Sequence, residues 1–159
     1  MDRRAVHSMT AGEIQARAQY YRTALLLGLR DGLEVVAWAD EVIASGAEVP
    51  AELLEVSLTP ALDLSALRHA LLPLAGDGAS AETVQAMLAL CAGDHAAGRR
   101  SIADTVRVLA QMRRMVVLPD WLEHELDVLE DDHMLAVAGV RGEVGEVEAR
   151  VGRFLDGRR

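Results

Sequence analysis

Residues 24–43, ALLLGLRDGLEVVAWADEVI, decide the fold class. Ala24 to Leu27 is apolar on every side of a helix, as expected for a segment central in a fold. Arg30-Asp31-Gly32 interrupts it with turn chemistry, and Asp31 is a residue type that caps a following helix. In that second helix, about 32–45, Glu34 and Glu41 share a wet face. Val35, Val36, Trp38, Ala39, Val42 and Ile43 cover most of the remainder, and Gly46 is a natural stop. The stretch therefore reads as two apolar helices joined by a tight turn.

Outward from this hairpin, the same grammar recurs. Residues 1–9 read as a short tail, after which Thr10 and Glu13 form a capping box for a helix running to about Leu29. Pro50 opens a short helix, and Asp63 caps another that Pro73 bends or ends. Residues 75–80, AGDGAS, are the most linker-like piece. Ser80 and Ser101 cap two further helices, the first with a Val84, Met87, Leu88, Cys91 stripe. Pro119 and an Asp120/Glu123 box start a helix with Leu122, Leu126 and Leu129 inward. Asp131 or Asp132 is expected to cap the next, and a last helix spans about 143–156.

With 51% hydrophobic but only 3% aromatic residues, the core must be built from Leu, Val, Ala, Ile and Met, a composition that favours helices over strands. The expectation is an all-α single domain over 1–159, with about eight helices arranged as stacked antiparallel hairpins. Chain length suffices to bury a core without a staple.

An internal echo supports a repeat. Thr23–Leu29 resembles Gln85–Cys91, Trp38–Val42 resembles Ile102–Val106, Pro50–Leu53 resembles Pro119–Leu122, and Asp63–Leu67 resembles Asp131–Leu135. Four elements in one order suggest two tandem helical units, about 10–74 and 80–138, plus a closing C-terminal helix. Units of that kind bury their apolar faces by stacking. Chance similarity between helices rich in Ala and Leu is the competing account.

Composition narrows the chemistry. All sixteen basic residues are Arg, so no lysine Schiff base or phosphate-loop lysine is available. Cys91 is alone, in an apolar run, and reads as a buried inert thiol. The N-terminus lacks a signal-peptide core and no apolar run reaches membrane-spanning length, so a cytoplasmic protein is expected. A net charge of −9 argues against nucleic acid as the partner. Glu130 and His133 have the E-x-x-H spacing of di-iron sites, but no second copy exists. The histidines are scattered, and no nucleophile can be matched with a base. No catalytic residue, cofactor or metal site is assigned.

The sharpest feature is acidic. Asp120, Glu123, Glu125, Asp127, Glu130, Asp131 and Asp132 follow one another with no intervening Arg, directly after the Arg-rich segment 99–114. Either the two helices lie side by side with charges partly neutralised, or the acidic face steers a basic partner. Trp121 beside it is either core or a binding anchor. The candidate partner-binding residues are Trp121, Glu123, Glu125, Asp127, Glu130 and Asp131.

The pattern Gly28-Leu29, Val35–Asp40, Ile43, and Pro50 with Leu53-Leu54-Glu55 resembles small all-helical bacterial proteins without an assigned activity, some of which are immunity proteins that cap toxins. The resemblance covers about residues 20–75 through packing motifs alone. It implies a non-catalytic protein-binding module, immunity-type or regulatory, whose partner is another protein with a basic surface. The alternative is a structural or assembly subunit, such as a homodimer, that self-associates through apolar faces of helices 10–45.

Overall fold

A computed structural model describes residues 9–46 and 48–158; apart from Met9, the expected N-terminal tail lies outside them. The protein is all-α: 74% helical, with eight helices and no strand among the described residues. The chain expected to make a single domain divides into two compact units between Asp77 and Gly78, inside the linker-like stretch.

The first unit contains α1 (Ala11–Leu26), α2 (Gly32–Ala44), α3 (Ala51–Leu58) and α4 (Leu64–Ala75). Each start follows from a local hydrogen bond. Glu13 N–H donates to Thr10 Oγ1 at 3.3 Å while Thr10 N–H donates to Glu13 Oε2 at 2.7 Å. Asp31 accepts from Glu34 N–H at 3.0 Å and Asp63 from Ala66 N–H at 2.9 Å. Helix α1 packs on α4, and α3 packs on both α2 and α4. Ile14, Ala18, Val35, Trp38, Leu53 and Leu71 meet in its core, with the Tyr21 and Trp38 ring centroids 5.3 Å apart.

The second unit contains α5 (Ala81–Ala96), α6 (Ile102–Met115), α7 (Asp120–Val137) and α8 (Val144–Asp156). Ser80 and Ser101 accept from Thr83 N–H at 3.2 Å and Asp104 N–H at 3.0 Å. The Ser101 hydroxyl, followed by Arg107, also holds the Asp104 carboxyl below its ordinary range. Helix α5 packs on α8, α6 on α7, and α7 on α8. The inward residues include Met87, Leu88, Met112, Leu122, Leu126, Val151 and Leu155. Burial pushes the Cys91 thiol up to about 12, so it stays protonated and inert at neutral pH.

Two helix ends differ from expectation. Helix α1 stops at Leu26 rather than near Leu29. Gly28 adopts φ +66°, Leu29 N–H donates to Ala24 O at 2.8 Å, and Gly28 N–H donates to Leu25 O at 3.3 Å. This closing motif needs a left-handed residue, which glycine supplies without a Cβ penalty. Helix α5 ends the same way at Gly98, with Arg99 N–H donating to Asp94 O at 2.9 Å. Helix α4 continues past Pro73 to Ala75, the proline being accommodated in its last turn.

Helix α7 brings the main correction. Asp131 and Asp132 cap nothing, because one helix runs unbroken from Asp120 to Val137. Asp120 is likewise the first helical residue, not a side-chain cap; Pro119 occupies the N-cap position. The expected match between Asp63–Leu67 and Asp131–Leu135 therefore fails. The C-terminal helix is the fourth helix of the second unit, not an added closing piece.

The helix caps align the two units differently. Thr10 and Ser80 both cap first helices, Gly28 and Gly98 end them, and Asp31 and Ser101 cap the second helices, all seventy positions apart. Val35, Trp38, Ala39 and Val42 are buried, as are Thr105, Val108, Leu109 and Met112 at the same spacing. In the fourth helices Leu67, Leu71, Leu74 and Ala75 are buried, as are Val147, Val151, Phe154 and Leu155, now eighty positions on. The change of spacing falls at α7, which has 18 residues against 8 in α3. Glu130, Asp131 and Asp132 ride on that added length.

Candidate functional site

The acidic residues distribute around α7 as a 3.6-residue helix requires. Leu122, Leu126 and Leu129 are buried and seat the helix. One flank faces α6. There Arg113 bridges Asp127 and Glu130, its guanidinium nitrogens lying 2.8 Å from each carboxylate, and Arg114 also pairs with Glu130. The Glu130 hydrogen bond, aided by the charges of Asp127 and Glu130, holds Arg113 still more firmly protonated than a free arginine.

The opposite flank faces α8. Arg150 pairs with Asp132, and Arg158 with Glu125 at 3.1 Å. Arg158 also donates to Phe154 O at 2.7 Å, lies 3.7 Å from the Phe154 ring centroid and 5.8 Å from that of Trp121. At an exposed site a cation–π contact contributes about 0.5–1 kcal/mol to the position of the ring. Trp121 remains 54% exposed.

Among the five acidic candidates, the structure thus separates two groups. Glu125, Asp127 and Glu130 are half-buried and spend their charge on Arg158, Arg113 and Arg114. Glu123 and Asp131 are exposed and make no ion pair among the described residues, as does Asp120, which sequence reasoning left out of the set. Asp120, His124, Asp127 and Asp131 recur at helical spacing and form the outward ridge, with Glu123 at its edge. Asp120, Glu123, His124, Asp127 and Arg113 line a notch of about 310 Å³. Three carboxylates against one guanidinium leave this notch able to accept a cationic side chain.

Because α7 is unbroken where a cap at Asp131 or Asp132 was expected, Glu130 and His133 share one helix. Glu130, however, is occupied by two guanidiniums. Among the described residues no three His, Cys, Asp or Glu side chains come together as metal ligands. No described helix is long and apolar enough to cross a membrane. The arginines opposite the acids were partly legible: Arg113 and Arg114 adjoin them in sequence. Arg150 and Arg158 gave no such signal, because they belong to no arginine-rich run beside the acids and meet Asp132 and Glu125 through the packing of α8 on α7.

No protein-family model matches this chain, and neither a curated protein nor a solved structure resembles it significantly.

Proposed function

We propose that this chain is a non-catalytic protein-binding module, immunity-type or regulatory, whose partner is another protein with a basic surface. The contact is the outward ridge of α7 rather than the whole acidic segment. One observation carries this reading: Trp121 is exposed and in contact with Arg158, beside Asp120 and Glu123, which form no ion pair among the described residues and share only the Arg113 guanidinium as a neighbouring cation. A partly exposed, positioned aromatic is the kind of residue that anchors interfaces. Unpaired exposed carboxylates steer a cationic surface and act mainly on the association rate.

The test starts by co-purifying the chain with the product of its neighbouring gene. Association is then followed by stopped flow for Asp120→Asn/Glu123→Gln and for Glu130→Gln. The ridge variant is expected to associate roughly tenfold more slowly at low ionic strength. Glu130→Gln is expected to leave the rate within about twofold, because Arg113 and Arg114 already neutralise it. Equal slowing by both variants would refute the assignment to the ridge.

The alternative, a self-associating assembly subunit, gains support at a different place from the one expected. The apolar faces of α1 and α2 are occupied by their own core, including Ile14, Val35 and Val42. Instead, Leu58 and Leu62 around the α3–α4 connection are 84% and 92% exposed, with Leu33 also exposed on α2. Solvated leucines cost free energy that a second copy could recover. Sedimentation equilibrium is expected to show a dimer that Leu58→Ser/Leu62→Ser dissociates, if this alternative holds. A monomer at all concentrations removes it.

A further inference from the structure

The α7–α8 face carries a second feature, next to the outward ridge and sharing His124 with it. A cleft of about 550 Å³ opens between the two helices, within the size range of small-molecule sites. Leu129 and Phe154 are buried and Val128 is partly exposed, so its floor is apolar. Arg150, Arg153 and Arg158 form its rim. Such a combination suits a ligand with one anionic end and one apolar end.

The three guanidiniums are not equivalent. Arg150 is turned by Asp132, and Arg158 is fixed by Glu125 and by the Phe154 carbonyl. Both are thereby held in place around the opening. Arg153 is exposed and has neither an ion pair nor a hydrogen bond among the described residues. Its planar fork is free to take a carboxylate with two parallel hydrogen bonds. Among the described residues, Glu125 is the only carboxylate lining the cleft, and Arg158 already neutralises it. The cleft therefore has a positive balance inside a chain of net charge −9, a local sign reversal that favours an anion.

We infer that this cleft binds an amphipathic organic carboxylate, with Arg153 holding the carboxylate and the tail lying along Val128, Leu129 and Phe154. The floor lies partly on the added length of α7, since Leu129 comes after the segment that corresponds to α3. The first unit has no equivalent helix length with which to build such a wall.

Calorimetric titration of the full chain tests the inference with three probes: octanoate, octan-1-ol and acetate. Octanoate is expected to bind saturably, with octan-1-ol and acetate each at least about tenfold weaker. Arg153→Gln is expected to weaken octanoate by about tenfold, corresponding to the loss of a charge-assisted contact, while leaving octan-1-ol unaffected. Val128→Asp is expected to weaken octanoate through its tail. Circular dichroism melting of each variant shows that the chain remains folded; Arg153 and Val128 are surface positions. Octan-1-ol binding as tightly as octanoate, or octanoate affinity unchanged in Arg153→Gln, would overturn the inference, as would absence of saturable binding.

Discussion

Replacing Gly32 by Ala should destabilise the protein by on the order of 3 kcal/mol, although helix propensity alone favours the change by up to about 1 kcal/mol. Gly32 opens α2, and a Cβ there would run into the Ala61 carbonyl group, 2.8 Å from its carbon and closer still to its oxygen, and 2.7 Å from Leu67 Cδ1. Two of those atoms are backbone and cannot swing away. The α3–α4 connection must shift, or α2 must lose its first turn. Gly93→Ala is the matching control: it lies within α5 with open space around its would-be Cβ. It should stabilise by about 0.5–1 kcal/mol. Urea unfolding of both variants checks the pair. A neutral or stabilising Gly32→Ala would mean that Ala61 does not approach α2 this closely.

Leu122→Ala is the second large effect, with an expected loss of about 3 kcal/mol, within the range measured for truncating buried leucines. Leu122 is fully buried on the inward face of α7, one residue from both Trp121 and Glu123. Its loss removes the transfer free energy of the missing methyl groups and leaves a cavity under the helix start. Guanidinium unfolding should show the change in midpoint with little change in slope. A loss below 1 kcal/mol would indicate that the start of α7 is loosely seated, which would undermine Trp121 as a positioned anchor. Leu122→Ala thus separates seating of the helix from the charge chemistry on its outer side.

Much of the fold was legible because helix starts are decided within three residues. Thr10, Asp31, Asp63, Ser80 and Ser101 all cap the helices assigned to them. Asp131 and Asp132 fail by the same logic. Asp favours caps only when the preceding helix is free to end, and here Leu126, Leu129 and Ala136 keep one buried stripe going through that point. The role of Gly32 was hidden for another reason: its constraint comes from a carbonyl 29 positions away. A turn glycine and a close-approach glycine look alike in a sequence.

We read the two units as copies of one four-helix plan, an inference that rests on caps rather than on apolar runs. The apolar similarities suggested spacings of 62 to 69 positions. Caps and left-handed glycines instead give seventy through the first two helices. Helices rich in Ala and Leu match one another after a shift of one or two turns, so their runs do not fix register. Caps occur once per helix and do.

For the candidate site, the acidic segment was visible and its neutralisation was half visible. Arg113 and Arg114 adjoin it, whereas Arg150 and Arg158 reach it only through the packing of α8 on α7. Packing against α6 and α8 together redistributes the segment's apparent charge. Glu125, Asp127, Glu130 and Asp132 become parts of the fold, and Asp120, Glu123 and Asp131 remain for solvent or a partner.

The most direct test of this division is the ionic-strength dependence of the association rate with the co-purified partner. For the unmodified chain the logarithm of the rate should fall steeply as salt rises, since exposed charges are screened over about 10 Å at 0.1 M. Asp120→Asn/Glu123→Gln should flatten that dependence, and Glu130→Gln should leave it as it is. A slope unchanged by the ridge substitutions, or flattened only by Glu130→Gln, would contradict the assignment of the contact to the outward ridge of α7.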